Sequence, residues 1–197
     1  MTPPDCHEPV FWDERYLAGR TPWDAGRVPV QFAAWLARTP VAGRAFVPGC
    51  GHGHEVAALA AAGWPVVGLD FSAAAVARSA ALVAAHPTAV VHHADLFAPD
   101  LDLGPFAVVY ERTVLCALPP ARHAAYAARL AGVLVPGGLL AGYFFHGPED
   151  EPPPYPLSPD ALAALLGPHF RLLEDAPVPD SLPLYAGKER WQIWQRR

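Results

Sequence analysis

The chain has 197 residues, of which 52% are hydrophobic and 17% are charged, a composition typical of a globular domain and not of a disordered segment. The formal net charge is −5, which argues against the basic surface expected of a protein that binds nucleic acid or an anionic membrane. Lys188 is the only lysine, so phosphate-binding loops and Schiff-base chemistry are disfavoured.

Helix-type and strand-type segments alternate along most of the chain. The predicted helices cover residues 30–37, 55–62, 73–85, 119–134 and 159–166. The predicted strands cover residues 44–48, 65–70, 88–92, 106–110, 139–145, 170–175 and 190–196. This alternation predicts an α/β fold with a doubly wound, mostly parallel sheet, in which the last two strands form an antiparallel pair at one edge.

Three cysteines, at positions 6, 50 and 116, show neither a disulfide framework nor metal-ligand spacing, which is typical of a reducing compartment. The N-terminal residues have no basic segment followed by an apolar one, and no apolar run reaches the ~18 residues of a membrane span. We therefore expect a cytoplasmic protein with no membrane segment and no nucleic-acid partner. Of the oligomeric states, we favour a monomer.

A glycine-rich segment, Gly49-x-Gly51-x-Gly53, lies between a predicted strand and a predicted helix. Glycine suits this position because the backbone turns sharply there and a ligand can approach it closely. Asp70 follows 19 residues after Gly51, at the carboxyl end of the next predicted strand. A carboxylate there can accept hydrogen bonds from both ribose hydroxyls of a nucleoside. We interpret the segment as a nucleoside site, the alternative being a tight turn followed by an aspartate that caps a helix.

Two features favour S-adenosylmethionine over a dinucleotide as that nucleoside. The dinucleotide motif G-x-G-x-x-G requires a glycine where this chain has His54. A second acid, Asp95, follows the third predicted strand, where a carboxylate suits an adenine amino group. A nicotinamide-dependent dehydrogenase is therefore the weakest interpretation.

Aromatic residues are concentrated ahead of the predicted sheet, with Trp12 and Tyr16 on one helical face and Trp23 shortly after them. An electron-rich ring face attracts a sulfonium cation by the same electrostatics that draw ammonium groups to tryptophan. The segment is therefore a candidate lid over a cofactor. On periodicity alone, packing of these aromatics onto the sheet is the better interpretation.

The chain resembles the thiopurine, halide and thiol methyltransferases in a series of motifs that recur in order. The motifs are W-x-x-x-Y-x-x-G-x-T-P-W-D-x-G, V-P-G-C-G-x-G-H-E, V-V-G-L-D-F-S, A-D-L, Y-E-R, C-A-L and G-K-E. They span nearly the whole chain and are closer to the halide/thiol branch than to the vertebrate thiopurine branch. The resemblance implies a seven-stranded, Rossmann-like class I methyltransferase fold with S-adenosylmethionine as the methyl donor and the last strand antiparallel.

The resemblance also implies which residues bind the cofactor. They are Trp12, Tyr16, Trp23, Gly49, Gly51, Asp70, Phe71, Asp95, Leu96 and Arg112. Tyr16 stands where the plant members usually carry tryptophan. Arg112 matches an arginine of the thiopurine branch that lies near cofactor and substrate, whereas the plant halide members have tyrosine.

On the acceptor side, we expect Arg112 to attract an anionic acceptor and Phe145 and Tyr155 to line an apolar pocket, with core packing an equal alternative for the two rings. We expect His52, His54 and Glu55 not to converge on a metal ion, because alternate loop residues before a helix rarely do so, and we predict no metal site. No catalytic residue is assigned, because a thiolate or halide needs alignment and desolvation more than a general base.

The sequence therefore predicts a single methyltransferase domain over residues 1–197 that transfers a methyl group to a small soft nucleophile, namely a thiol, hydrosulfide or halide. Residues 1–28 are assigned to an aromatic lid, 29–146 to the cofactor-binding core, and 147–197 to a substrate-side loop and the C-terminal strands. Two alternatives stay open. One is an O- or N-methyltransferase of a small metabolite with His146 as the first candidate base, and the other is a non-catalytic nucleoside-binding module.

Overall fold

A computed structural model describes residues 6–148 and 152–197 of the chain. Parts of two predicted segments, residues 1–5 of the lid and 149–151 of the substrate-side loop, lie outside the described residues. The described helices are α1 (Pro9–Leu17), α2 (Val30–Arg38), α3 (His54–Ala61), α4 (Ala73–Val83), α5 (Val114–Ala117), α6 (Pro120–Val133) and α7 (Pro159–Leu166). The described strands are β1 (Ala45–Pro48), β2 (Val66–Asp70), β3 (Ala89–His93), β4 (Phe106–Arg112), β5 (Leu134–Phe145), β6 (Phe170–Pro177) and β7 (Glu189–Arg196).

The strands form one seven-stranded sheet in the order β3-β2-β1-β4-β5-β7-β6. β1 pairs in parallel with both β2 and β4, whereas β7 pairs antiparallel with β5 and β6. The predicted doubly wound, mostly parallel sheet with an antiparallel last strand is confirmed. Since the strand order reverses direction between β1 and β4, their carboxyl ends border a crevice of the kind in which ligands of such sheets bind.

Apolar side chains cover both faces of this sheet. On β1, Phe46 belongs to one core cluster and stacks on Phe106 with ring centroids 5.0 Å apart, while Ala45 and Val47 belong to the cluster on the other face. The alternation follows from the two-residue repeat of a strand. Because both faces are buried, the strand ends are the part of the sheet that a ligand can reach.

Local signals in the sequence explain where several helices begin. The hydroxyl of Ser72 accepts a hydrogen bond from the Ala75 N–H at 3.2 Å and so caps α4. Ser158 caps α7 in the same way, and Pro120 lies in the first turn of α6. None of the helices in the described part of the chain is long and apolar enough to cross a membrane.

Two elements differ from the sequence expectation. The segment Pro136-Gly137-Gly138 does not precede β5 but lies inside it, because the strand begins at Leu134. The pairing with β4 accommodates these residues through an irregularity, since Phe106 pairs with Leu134 and Val108 pairs with Leu139. The short helix α5 was not predicted, and it follows Thr113, which adopts a left-handed conformation with φ of 65°.

Candidate active site

The glycine loop after β1 depends on glycine for both conformation and space. Gly49 and Gly51 have φ values of +55° and +53°, in the left-handed region that L side chains rarely adopt. A Cβ atom at Gly49 would overlap the Val114 side chain, and one at Gly51 would lie 2.9 Å from the Tyr16 hydroxyl. The loop therefore lies directly against the residues that surround the crevice.

Asp70 ends β2 beside this loop and is only 5% exposed. Its Oδ2 accepts a hydrogen bond from the Gly51 N–H at 2.9 Å, and its Oδ1 accepts one from the Ser72 N–H at 2.9 Å. Burial raises the pKa of Asp70 above its usual value, although these backbone N–H groups act in the opposite direction. Each carboxylate oxygen keeps a further lone pair with which it can accept a hydrogen bond from a ligand hydroxyl.

The crevice is a cleft of about 640 Å³, which we call the main cleft, and its size is typical of a small-molecule site. Eight of the ten residues predicted to bind the cofactor line it: Trp12, Tyr16, Trp23, Gly49, Asp70, Phe71, Asp95 and Leu96. The other two, Gly51 and Arg112, line a smaller adjoining cavity of about 60 Å³, the glycine-loop cavity. Trp23, Tyr16 and Gly49 border both spaces.

The N-terminal aromatics form a wall of the main cleft. The ring of Trp23 packs edge-on against Trp12 and Tyr16, at centroid distances of 5.3 and 5.9 Å. Tyr16 is buried, while Trp12 and Trp23 keep partly accessible surfaces. The helix that carries two of these rings, α1, is fastened to α4 because Asp13 Oδ1 accepts hydrogen bonds from the Ser72 hydroxyl at 2.5 Å and the Ala74 N–H at 3.0 Å.

Asp95 and Leu96, which follow β3, also line the main cleft. Asp95 is exposed, and its Oδ1 accepts a hydrogen bond from the Phe97 N–H at 2.9 Å, whereas Leu96 is buried. Phe97 also lines the cleft and carries the Arg122 guanidinium 5.0 Å above its ring centroid. Sequence reasoning missed Phe97 and Arg122, although Phe97 directly follows the predicted pair.

Arg112 lies at the end of β4 in a buried group of polar side chains rather than on the main cleft. Its guanidinium is 4.0 Å from the Glu55 carboxylate and 5.0 Å above the Tyr143 ring. The Tyr110 hydroxyl donates a hydrogen bond to Glu55 at 3.4 Å. Burial raises the pKa of Glu55, and the charge of Arg112 opposes that shift. Nη1 of Arg112 is buried and has no hydrogen-bond partner among the described residues.

The two predicted acceptor-side aromatics, Phe145 and Tyr155, do not line the main cleft. Phe145 is buried behind the cleft wall, where its ring packs against Tyr185 at 5.7 Å. The Tyr155 N–H donates to the Cys116 carbonyl at 2.6 Å. These contacts place both residues one layer behind the cleft, so their role toward an acceptor stays a prediction.

Sequence reasoning also missed residues that do border the cleft on this side. They are Cys6, Cys116, Pro152, Pro153, Pro154, Leu184 and Tyr185. Cys116 is only 6% exposed, but it contributes to the cleft wall. Burial raises the pKa of its thiol well above the usual value, so the thiol stays protonated.

His52 and His54 converge on Asp24, which corrects the expectation that they would not meet. Nδ1 of His52 contacts Asp24 Oδ2, and Nε2 of His54 lies 3.4 Å from Asp24 Oδ1. The ligand-type atoms of the three side chains all lie within 4.8 Å of one another. The sequence contained a signal, Asp24 of the T-P-W-D motif, but its distance of 28 residues from His52 conceals the contact.

The main cleft suits S-adenosylmethionine on two observations. The Asp70 carboxylate is held by two backbone N–H groups next to the glycine loop, as a ribose-binding acid requires. Two tryptophan rings that suit a sulfonium cation border the same space. The fold agrees, because a crystal structure of 1,6-didemethyltoxoflavin-N1-methyltransferase from Burkholderia thailandensis superposes with a TM-score of 0.77 at 19% identity, covering 95% of this chain and 86% of that one. The fold is that of a class I methyltransferase, and the cleft suits S-adenosylmethionine.

The family follows from sequence comparison. The model of the thiopurine S-methyltransferase family matches residues 7–197, and the chain belongs to that family. It is 37% identical over 155 residues to probable thiol methyltransferase 2 of Arabidopsis thaliana, covering 75% of this chain and 67% of that protein. It is 31% identical over 201 residues to thiocyanate methyltransferase 1 of Brassica oleracea, covering 98% and 88%. The predicted methyltransferase activity and methyl donor are thereby confirmed.

Proposed function

We propose that the enzyme methylates a small soft nucleophile, namely a thiol, hydrosulfide or halide. The observation that carries the proposal is the cleft wall formed by Cys116, Leu184 and Tyr185, which is apolar. Burial raises the pKa of the Cys116 thiol and of the Tyr185 hydroxyl, so neither group supplies an ionised base. An acceptor that is already nucleophilic as an anion needs no base and fits this wall best.

When bound, S-adenosylmethionine would supply an electrophilic methyl group: the anion would bond to the methyl carbon in line as the bond from that carbon to the sulfonium sulfur breaks, and S-adenosylhomocysteine would leave as a neutral thioether. Asp70 would hold the ribose hydroxyls, and Asp95 and Leu96 would flank the adenine. Trp12 and Trp23 would face the sulfonium and exclude water, which strengthens the attraction between the cation and the rings. The protein contributes alignment and desolvation, which are the main requirements of this displacement.

The charge around the cleft supports an anionic acceptor. Arg15, Arg20 and Arg122 line the main cleft, and its two acidic lining residues, Asp70 and Asp95, both lie on the donor side. The positive rim would raise the local concentration of a thiolate or halide.

We propose that Arg112 acts on the donor side, because it borders the glycine-loop cavity and its Nη1, although 4.0 Å from the Glu55 carboxylate, makes no hydrogen bond to the described residues. Arg112→Lys keeps the positive charge, and its kinetics distinguish the two predicted roles of Arg112, donor binding and acceptor binding. A rise in the KM of the donor alone would support this placement, whereas a rise in the KM of the acceptor alone would support acceptor binding.

An oxygen or nitrogen acceptor would require a base beside the methyl group. His146, the candidate named from sequence, does not line the main cleft, and its Nδ1 lies 2.7 Å from the Leu157 carbonyl. Among the described lining residues, His7 is the one imidazole, and it lies exposed at the rim. The soft-nucleophile proposal is therefore the better supported one.

Headspace mass spectrometry of the purified protein tests the proposal. The protein is incubated with S-adenosylmethionine and, in separate reactions, hydrosulfide, iodide, thiocyanate and an aromatic thiol. A methylated product above the protein-free control would support the proposal and rank the acceptors. No product from any of them, with donor binding intact by calorimetry, would overturn it and favour an oxygen or nitrogen acceptor.

We further propose a cytoplasmic, monomeric enzyme organised as one domain. None of the three cysteines forms a disulfide, which is consistent with a reducing compartment. The assignment of residues 147–197 to the substrate side has support in the residues that line the main cleft. Pro152, Pro153, Pro154, Leu184 and Tyr185 all line it and all come from this segment.

A further inference from the structure

Asp24 is the centre of a polar network between the glycine loop and the N-terminal segment. Its Oδ1 accepts a hydrogen bond from the Gly26 N–H at 2.8 Å and lies 3.4 Å from His54 Nε2, while its Oδ2 contacts His52 Nδ1. The side chains of Asp24, His54 and His52 are 17%, 26% and 15% exposed, so solvent only partly screens these contacts. The network therefore joins the loop that carries Trp23 to the loop that follows β1.

Arg78 of α4 determines which ring nitrogen of His52 carries the proton. Its Nη1 lies 3.1 Å from His52 Nε2, and its Nη2 donates to the Tyr16 carbonyl at 2.7 Å. A guanidinium can only donate hydrogen bonds, so Nε2 of His52 is the acceptor and the proton of the neutral ring is on Nδ1. His52 thus accepts from Arg78 and donates to Asp24.

The same pattern argues against a metal centre at these residues. With Nε2 occupied by Arg78 and Nδ1 protonated toward Asp24, His52 has no lone pair to offer a metal ion. The cluster also lies at the N-terminus of α3, whose helix dipole disfavours a cation. Hydrogen bonding within the protein accounts for the arrangement.

The network bears directly on the aromatic wall of the main cleft. Trp23 precedes Asp24 in the chain, and the Tyr16 ring packs edge-on against His52 at 5.2 Å. The helix α1 has a separate attachment to α4 through Asp13, so loss of the Asp24 contacts would release the Trp23 loop without detaching α1.

We propose that Asp24 is a positioning residue for methyl transfer, which acts with His52 and Arg78 to hold Trp23 against the main cleft before the donor binds. The inference rests on the proposed donor site in that cleft. A wall that is already ordered spares the donor the entropic cost of ordering it on binding. The network therefore contributes to donor affinity and leaves the chemistry of the acceptor unchanged.

The test compares four variants with the wild type. His52→Leu removes both hydrogen bonds, whereas His52→Gln can donate to Asp24 through its amide nitrogen and accept from Arg78 through its oxygen. Asp24→Asn turns an N–H toward either the His52 Nδ1–H or the Gly26 N–H, and Arg78 prevents the opposite tautomer of His52 from relieving the first of these clashes. Asp175→Asn is the matched control, because the Asp175 carboxylate is likewise paired with a nitrogen-bearing side chain, that of Arg190 at 2.5 Å, but lies on β6 and lines neither cavity.

We expect Asp24→Asn and His52→Leu to raise the Kd of S-adenosylhomocysteine, measured by calorimetry, and the KM of S-adenosylmethionine about tenfold, with kcat changed less than about twofold. His52→Gln should recover most of the affinity, and Asp175→Asn should match the wild type. Quenching of tryptophan fluorescence by S-adenosylhomocysteine should shift to higher concentration in the two disabled variants, while their thermal unfolding midpoints stay close to that of the wild type.

Wild-type affinity in His52→Leu, or equal losses in His52→Gln and His52→Leu, would overturn the positioning role. Should Asp24→Asn prove unstable, the His52 pair decides the question by itself. If the wild type binds no S-adenosylhomocysteine, the proposed donor site in the main cleft is itself overturned. That outcome is distinguishable from one in which the donor binds but the network does not affect its affinity.

Discussion

The backbone N–H of Gly51 donates a hydrogen bond to Oδ2 of Asp70 at 2.9 Å, joining the loop after β1 to the end of β2. The bond orients the carboxylate, and the positive φ of Gly51 belongs to the sharp turn that the loop makes at this point. The two residues that sequence analysis had paired across 19 positions are therefore one structural unit. Their joint role is to present an oriented acid at the edge of the main cleft.

Replacing Asp70 with asparagine should weaken binding of S-adenosylhomocysteine. The amide keeps one acceptor oxygen but turns an N–H toward either the Gly51 or the Ser72 N–H, and the negative charge is lost. Hydrogen bonds to charged groups contribute about 1.5–3 kcal/mol, so the Kd should rise roughly 10- to 150-fold by calorimetry. Asp102→Asn, at an exposed loop position, is the control. Unchanged affinity in a folded Asp70→Asn variant would remove Asp70 from the donor site.

Replacing Trp23 with leucine should change the relative affinity of the protein for S-adenosylmethionine and S-adenosylhomocysteine. S-adenosylmethionine carries a sulfonium charge that S-adenosylhomocysteine lacks, and a cation over a tryptophan ring gains about 0.5–2 kcal/mol. Trp23→Leu should therefore weaken S-adenosylmethionine about 2- to 30-fold more than S-adenosylhomocysteine. Because any general disturbance of the wall affects both ligands, the ratio of their Kd values isolates the charge. Equal losses would show that Trp23 excludes water or shapes the cleft without stabilising the cation.

Much of the fold was predictable because local signals agree with the final structure. Ser72 and Ser158 cap helices where the apolar repeat begins, and the buried strand segments end within one or two residues of the observed bounds for most strands. The short helix α5 gave no such signal. The group that accepts its first N–H groups is the Glu111 carboxylate, which lies on the preceding strand rather than at the helix start.

The candidate site was predictable where its residues follow strand ends, and less so where they meet through tertiary packing. Gly49, Asp70 and Asp95 each lie at or just after the end of a strand, so the parallel topology brings them to one edge. The partner of Arg112 is Glu55 on α3, and the partner of His52 is Asp24 in the N-terminal segment. Neither spacing corresponds to a helix or strand repeat, so periodicity contains no information about these contacts.

The interaction between the buried side chains of Arg112 and Glu55 should be measurable as a coupling free energy in a double-mutant cycle. The side chains are 12% and 14% exposed, so Arg112→Met leaves the Glu55 carboxylate without its counterion in a poorly solvated place. Breaking a buried pair from one side costs roughly 3–5 kcal/mol, whereas replacing both charges is often nearly neutral. Urea unfolding should therefore show Arg112→Met strongly destabilised and the double variant Glu55→Gln/Arg112→Met substantially recovered. Additive losses in the double variant would show that the two charges do not stabilise each other.

Glu111 should make the stability of the protein fall as the pH rises through neutrality. The side chain is 1% exposed, and burial raises its pKa from 4.5 to about 7. The hydrogen bonds that it accepts from the Leu115 and Val114 N–H groups lower the pKa and oppose part of this shift. Between these two pH values the folded chain holds a proton that the unfolded chain has released, so unfolding becomes easier as the pH increases across that window. The contribution of this group is on the order of 3 kcal/mol between about pH 4 and about pH 8.

Glu111→Gln tests this, because the amide resembles the protonated acid and its oxygen can still accept from Val114 and Leu115. The free energy of unfolding of wild type and variant is measured in urea at about pH 5 and about pH 8. We expect the variant to gain stability relative to the wild type at the higher pH and to gain less at the lower pH, because at the lower pH the wild-type carboxyl is itself protonated. Asp102→Asn removes a carboxylate from an exposed loop position and controls for the loss of one charge. A difference between Glu111→Gln and wild type that is the same at both pH values would show that Glu111 is ionised in the folded protein throughout this range.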